Sequence, residues 1–572
     1  MQSSPCLPGP PVQGRIKIAT KSKEFLLKAL LAAAAALFLC MSQPSLASSQ
    51  GPEMAPLNPD FAHYLELRER LPLLQSGETG PGPDSPPDGF SFGYTPPPVE
   101  IEPWPIPQPE LILRSALPAR FDLRDTGRLT SVKNQGGCGA CWAFAMLGSI
   151  ESNLMPAENW NFSEDNVKNL HGFDYDACAG GNHMMATAYL ARGLGPVLES
   201  EDPYEAGSRS SPVFPARKWI RNVAFLPKRT GSQDNDAIKR AVLTHGGVYA
   251  SLYMTTSSAW YSSTNRALYY AGNSKPNHAI VIVGWDDDFP AGKFPTRPAG
   301  NGAFIIKNSY GTSFGQSGYF YVSYHDLTLA KQGASAYSFG AAPAGGYSSV
   351  YQHDFLGWTS TYGFRSTDVS YASVFQARAN EEIFAVSTYA VIPGTRYTIS
   401  VYRDPLDGLE DPGGPEAEVS GFFPEAGFYT LDLPRPVQVE ACEPFSVVVE
   451  IRAPTGAQYV IPVEKAHAGY STAAEARPGR SFARRTGGRW YDFGADGLDV
   501  CVKAFGRPSG GLTDPGQAFC PDLAPVSVSS GKSGGGGCAL SSAARLGPEW
   551  LLLPVVLLVC RLWRRLGPGR RR

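Results

Sequence analysis

The sequence predicts an α+β chain whose helical part comes first, followed by strands and then by an antiparallel β-sandwich. Three patterns point there. Helical runs with clear start and stop signals lie between 141 and 192, and β-rich apolar runs follow between 248 and 324. From about 348 to 507, short alternating runs are separated by turn residues such as Pro393-Gly394 and Pro412-Gly-Gly414. At 572 residues the chain is too long for one core, so three or four segments are expected. A formal charge of −2 supplies no global field for nucleic acid, and the 61 Gly and 50 Pro imply much loop and linker. Ten cysteines are scattered without metal-ligand spacing, so neither a metal nor a cofactor is expected.

Residues 1–47 read as an export signal. Arg15, Lys17, Lys21, Lys23 and Lys28 precede the apolar run Ala29 to Met41, and Ser45-Leu-Ala47 offers small residues for cleavage. The run is shorter than the roughly 20 residues a membrane span needs. Export implies an oxidising compartment in which disulfides persist. Residues 48–114 are rich in Pro and Gly; Pro96-Pro-Pro98 and Pro103-Trp-Pro-Ile-Pro107 exclude regular helix, and only Phe61 to Leu74 looks helical. A propeptide or a Pro-rich linker is expected there.

The stretch Gln135-Gly-Gly-Cys-Gly-Ala-Cys-Trp-Ala-Phe144 carries the chemistry. Cys141 opens an apolar run that has no Pro and one Gly before Pro156 stops it. A thiol at a helix N-terminus feels the positive end of the dipole, which favours the thiolate. Gln135, across a Gly-rich turn, can aim its amide at the same place as the Cys141 N–H, and two such donors would hold an oxyanion. Further on, Ser163 with Glu164 and Asp165 starts a second helix, and Asn182 to Arg192 forms a third, closed by Gly193 and Gly195. Strands are expected at 248–254, 278–285, 303–307 and 318–324. His278 opens one of them, and Asn308 lies downstream to accept its imidazole N–H. Asp286-Asp-Asp288 reads either as a cation site or as a solvated turn.

These residues resemble the active-site segments of papain-like cysteine peptidases. Leu117-Pro-Ala-Arg-Phe-Asp-Leu-Arg124 resembles the start of the mature enzyme, Asn277-His-Ala-Ile-Val-Ile-Val-Gly284 the histidine strand, and Lys307-Asn-Ser-Tyr-Gly311 the asparagine loop. The resemblance implies a two-lobed papain-like fold over 115–342, with a helical lobe, a β-barrel-like lobe and the substrate cleft between them. It implies a catalytic set of Cys141, His278, Asn308 and Gln135, with the thiolate facing a protonated imidazole. It implies a Cys138–Cys178 disulfide, and a substrate cleft flanked by Gly180, Gly181, Asn182, Ala279 and Tyr310. Tyr310 and Phe314 stand where this family usually has Trp, and their aromatic character is expected to keep shielding the Asn–His bond.

Residues 348–507 resemble the lectin-like domain that follows such peptidases in some secreted proteins, through Phe355-Leu-Gly-Trp358, Phe445-Ser-Val-Val-Val449, Gly469-Tyr470-Ser471 and Val500-Cys-Val-Lys-Ala-Phe505. The resemblance implies either glycan binding, with Trp358 and Trp490 as stacking candidates, or a packing module. Cys442 can pair with Cys501 or Cys520. Residues 508–537 read as a Gly/Ser/Pro-rich linker. Residues 538–572 resemble a bacterial C-terminal sorting signal: Ser533-Gly-Gly-Gly-Gly-Cys538, an apolar run from Trp550 to Cys560, then an Arg cluster. That implies processing at Cys538 by a sorting protease, and surface or membrane association. The expected protein is an exported cysteine endopeptidase acting on proteins or peptides. A surface adhesin that uses the same fold as scaffold, or a peptide ligase with the same site, are the alternatives.

Overall fold

A computed structural model describes residues 51–74, 91–99, 117–331, 336–343, 347–403, 405, 409–410, 413–509 and 520. The export signal at 1–47, most of the linker at 508–537, and the sorting signal at 538–572 with Cys538 lie outside the described residues, as do both terminal apolar runs. Among the described residues no helix is long and apolar enough to cross a membrane.

The central helix is Cys141–Leu154. Every one of its residues except Asn153 is buried, so it is a core helix rather than a surface one. Glu164–Leu170 follows, with the Ser163 hydroxyl accepting the Asn166 N–H at 3.1 Å. His183–Ala191 starts where Asn182 Oδ1 accepts the N–H groups of Met184 and Met185. These helices lie on one side of the cleft, as the sequence predicts.

The other side is built from strands Val248–Leu252, His278–Asp286, Ala303–Lys307 and Tyr319–Ser323, paired antiparallel in that order. They belong to a thirteen-stranded sheet that does not stop at the expected boundary near 342. Strand Lys218–Leu226 pairs with Ala336–Pro343 along one edge and with Ala426–Val439 along the other. Beyond Ala426–Val439 the sheet continues through Glu381–Ala390 and Val502–Pro508 to Ser349–Tyr351. A six-stranded sheet packs over this C-terminal part, and side chains such as Ile383, Val386, Val502, Val369, Tyr371 and Val447 share one core. The sandwich is therefore present, but it is fused edge to edge with the first segment.

The structure corrects one expected strand and decides between readings that the sequence leaves open. The run Val500 to Phe505 is not one strand: Cys501 donates its N–H to Pro462 O, so Leu498–Val500 and Val502–Pro508 serve different sheets. Trp358 is not an exposed stacking platform: it is 2% exposed, lies parallel to Phe225 and donates its indole N–H to Thr361 at 2.9 Å. Trp490 is half-buried beneath the Arg484 guanidinium. A disulfide joins Cys442 to Cys520 and leaves Cys501 a buried free thiol. Asp287 of the acidic triplet is occupied by Lys239 and the Tyr324 hydroxyl, which makes it an ion-paired turn.

The seam between the two segments is tight. Gly427 sits at φ +150°, and a Cβ there would stand 2.0 Å from Val223 O across the strand pair. Gly427→Ala should cost about 3 kcal/mol or more in denaturant unfolding, whereas Gly497→Ala, with open space around it, should cost roughly 1 kcal/mol. Equal costs would show that the seam is loose.

Candidate functional site

Cys141 is the first residue of the central helix, unpaired and fully buried. Its Sγ accepts the Ala279 N–H at 3.3 Å, which places the sulfur at the head of the His278 strand. His278 Nε2 is 2.8 Å from Asn308 Oδ1, and that oxygen also accepts the Ser309 N–H at 2.9 Å. The bond to Asn308 fixes the tautomer and leaves Nδ1 as the other reactive position of the ring. The Tyr310 ring centroid is 4.8 Å from that of His278, and its hydroxyl is 3.5 Å from Nδ1. Phe314 meets Tyr310 edge-on, so an aromatic cover shields the His–Asn pair.

Gln135 is held from both ends. Its Oε1 accepts the Ser309 hydroxyl at 2.6 Å, which turns Nε2 outward as a donor. That Nε2 donates to Cys138 O and to Ser91 O, at 2.8 and 2.7 Å. Ser309 is a positioning residue that sequence reasoning passed over; its place directly after Asn308 was the available signal. A disulfide links Cys138 to Cys178, tying the loop before Cys141 to the loop that carries Gly180 and Gly181.

The unexpected feature is the segment Ser91–Val99, which runs through the cleft. Gly93 and Tyr94 donate their N–H groups to Asn277 O, at 3.2 and 3.0 Å. Gly181 donates to Gly93 O and accepts from Thr95, both at 2.9 Å, so Tyr94 pairs with Gly181 in parallel. The fit leaves no room at the backbone: a Cβ on Gly93 would stand 2.1 Å from Gly139 O. Upstream, helix Pro59–Leu74 anchors the same stretch through Asp60 to Lys275 and Arg68 to Gly469 O and Asp174 O. Of the residues expected to flank the cleft, Gly180, Gly181 and Ala279 lie against this segment or the sulfur. Asn182 caps its helix, and Tyr310 covers the imidazole. A glycine between two aromatics, Phe92-Gly93-Tyr94, was the one sign in the sequence that this Pro-rich stretch docks somewhere.

Burial dominates the electrostatics of the site. Burial pushes the Cys141 thiol up to about 12, against the pull of the Ala279 and Gly93 N–H groups. Burial likewise lowers His278 to about 4, against the bond to Asn308. Burial thus favours the neutral forms of both groups, against the thiolate–imidazolium pair that the resemblance implies.

Residues 117–337 match the family model "Papain family cysteine protease", and residues 350–506 match "Lectin like domain". The chain is 28% identical over 208 residues to a viral cathepsin of Adoxophyes honmai nucleopolyhedrovirus, covering 36% of this chain and 57% of that protein. It is 29% identical over 230 residues to ananain of Ananas comosus, covering 39% and 60%. The chain thus spans less than two thirds of the length of these relatives. Its fold is similar to the cysteine protease and lectin-like domains of Cwp84, a surface layer associated protein of Clostridium difficile. That match has a TM-score of 0.64 and 22% identity, over 81% of this chain and all of that one.

The buried neutral imidazole gives a pH dependence with a definite sign. His278 is lowered to about 4 in the covered site, below its ordinary ~6.5. Cover carries no protonation penalty above the ordinary value, and the penalty grows as pH falls toward 4. In Cys141→Ala, which removes the opposing rise of the thiol, acidification should loosen the segment, so its cleavage by an added protease, corrected for that protease's own pH profile, should accelerate below about pH 6.5. A rate that falls steadily with pH would contradict this.

Proposed function

With residues 117–337 a papain-family cysteine protease domain and residues 350–506 a lectin-like domain, we propose that this chain is an exported cysteine endopeptidase held latent by its own 48–114 stretch. The observation that carries the reading is the convergence on one cleft of Cys141 Sγ, the head of the His278 strand and the His278–Asn308 bond. The cover over them supports latency, since a carbonyl, that of Ser91, already occupies the Gln135 donor.

The chemistry starts when the cover leaves. Water and the helix N-terminus then favour charge, and the Cys141 proton passes to His278. The thiolate attacks the scissile carbonyl carbon, and the carbonyl electron pair moves to oxygen. Gln135 Nε2 and the Cys141 N–H hold that oxyanion. His278 gives its proton to the leaving amine as the C–N bond breaks, leaving a thioester. The neutral imidazole then takes a proton from water, whose oxygen attacks the thioester, and collapse releases the acid and the thiol. Asn308 keeps the ring oriented through both steps.

Export is supported by the basic-then-apolar order at 15–41, and surface delivery by the Gly-Cys, apolar and Arg order of the tail. For the lectin-like part, a cavity of about 200 Å³ lined by His353, Phe355, Arg477, Arg480 and Asp499 supports glycan binding, with Phe355 left 54% exposed. Phe355→Ala should abolish retention on a glycan array; unchanged retention, or none by the parent chain, would end that reading.

Maturation of the full chain should yield casein hydrolysis that a thiol-reactive epoxide blocks by labelling Cys141. Cys141→Ala should be inactive, and Gln135→Ala should lose roughly 10²–10³-fold in kcat. Robust hydrolysis by Cys141→Ala would refute the proposal.

A further inference from the structure

The cleft wall beside Gly181 is not made by the peptidase segment alone. A loop of the lectin-like segment reaches it. Asp174 donates its N–H to Tyr470 O at 2.9 Å, and the Asp174 carboxylate receives the Thr472 N–H and hydroxyl, the latter at 2.6 Å. These bonds seat Tyr470, fully buried, among rings of the helical lobe: Phe173 at 5.0 Å and Tyr175 at 5.9 Å. Its hydroxyl donates to Asn182 Oδ1 at 3.3 Å. Asn182 directly follows Gly181, whose backbone bonds Gly93 O and the Thr95 N–H on either side of Tyr94. Tyr470 is thus fastened one residue from the backbone that grips the cover.

The Tyr470 ring is also met by Phe61, edge-on at 5.2 Å, and Phe61 belongs to the N-terminal helix. When the 48–114 stretch leaves, Phe61 and Tyr94 leave together, while Phe173, Tyr175 and Asn182 stay. The side of Tyr470 that Phe61 covers is then open, one residue from the Gly181 backbone that held Tyr94.

We propose that Tyr470 is a specificity-determining residue: the lectin-like segment completes the substrate cleft, and its ring forms the wall that receives an aromatic or large apolar side chain where Tyr94 now sits. The proposal rests on the peptidase reading. It explains why the two segments share a sheet, since a wall supplied from outside the peptidase segment is useful only if its position is fixed.

The test uses the full chain after maturation, with wild type, Tyr470→Phe, Tyr470→Leu and Tyr470→Ala. The substrates are fluorogenic peptides in which each of the three residues on the acyl side of the scissile bond is set in turn to Tyr, Leu or Gly. At one position, Tyr470→Ala should lower kcat/KM about tenfold for the Tyr and Leu peptides, through KM, and leave the Gly peptide unchanged. Tyr470→Phe should keep the wild-type pattern. Iodoacetamide labelling of Cys141 at the wild-type rate certifies the folded cleft; if the Ala chain fails it, Tyr470→Leu must show a smaller loss confined to the Tyr peptide. An equal fall across all peptides, or no change, overturns the proposal. Wild-type chain that cleaves none of them overturns the peptidase reading, and this proposal with it.

Discussion

The seating of the Cys141–Leu154 helix on the His278–Asp286 strand is the constraint on which the site depends. It is a close approach between one helix and one sheet. A Cβ on Gly148 would lie 3.2 Å from Val281, and one on Gly247 only 2.6 Å from the same side chain. Ser149 donates to Gly247 O at 2.5 Å, which locks the helix to the edge of the neighbouring strand. With that spacing set, the first residue of the helix meets the first residues of the strand, and Ala279 donates to the sulfur. Asn308, Ser309 and Gln135 are second-order consequences, because each is positioned by a strand or loop bonded to this pair.

A cleft assembled this way favours charged side chains only when water reaches it. The covered state changes the site in two ways. It withdraws solvent from the thiol and the imidazole, and it brings the Ser91 carbonyl to the Gln135 donor. The same segment is held far from the chemistry, through Phe61 and Arg68 on the lectin-like loop and through Glu53–Met54 paired with Ser360–Gly363. The cover is thus held by three segments packed together rather than by the cleft alone.

Much of the site was legible because its signals are local. Pro156 after the central helix, Ser163 and Asn182 as caps, and the β-rich run opened by His278 each act within a few residues. What stayed hidden depends on contacts between distant parts. Strand Lys218–Leu226 is read with difficulty because its two edges are filled by strands more than a hundred residues downstream. Whether Trp358 stacks on a sugar or packs in a core stays open in the sequence because Phe225, its partner, lies in the other segment. Cys442 had two candidate partners, and only tertiary distance selects Cys520. The Pro-rich composition around 91–99 correctly excluded helix, yet an extended backbone is also what a cleft can bind.

The charge state of Cys141 before and after the cover is removed tests this account most directly. Far-ultraviolet thiolate absorbance of the full chain at neutral pH, with Cys141→Ala as the blank, should be absent while residues 48–114 are in place and should appear once they are cut away. A thiolate signal in the covered chain, or none in the uncovered one, would contradict it.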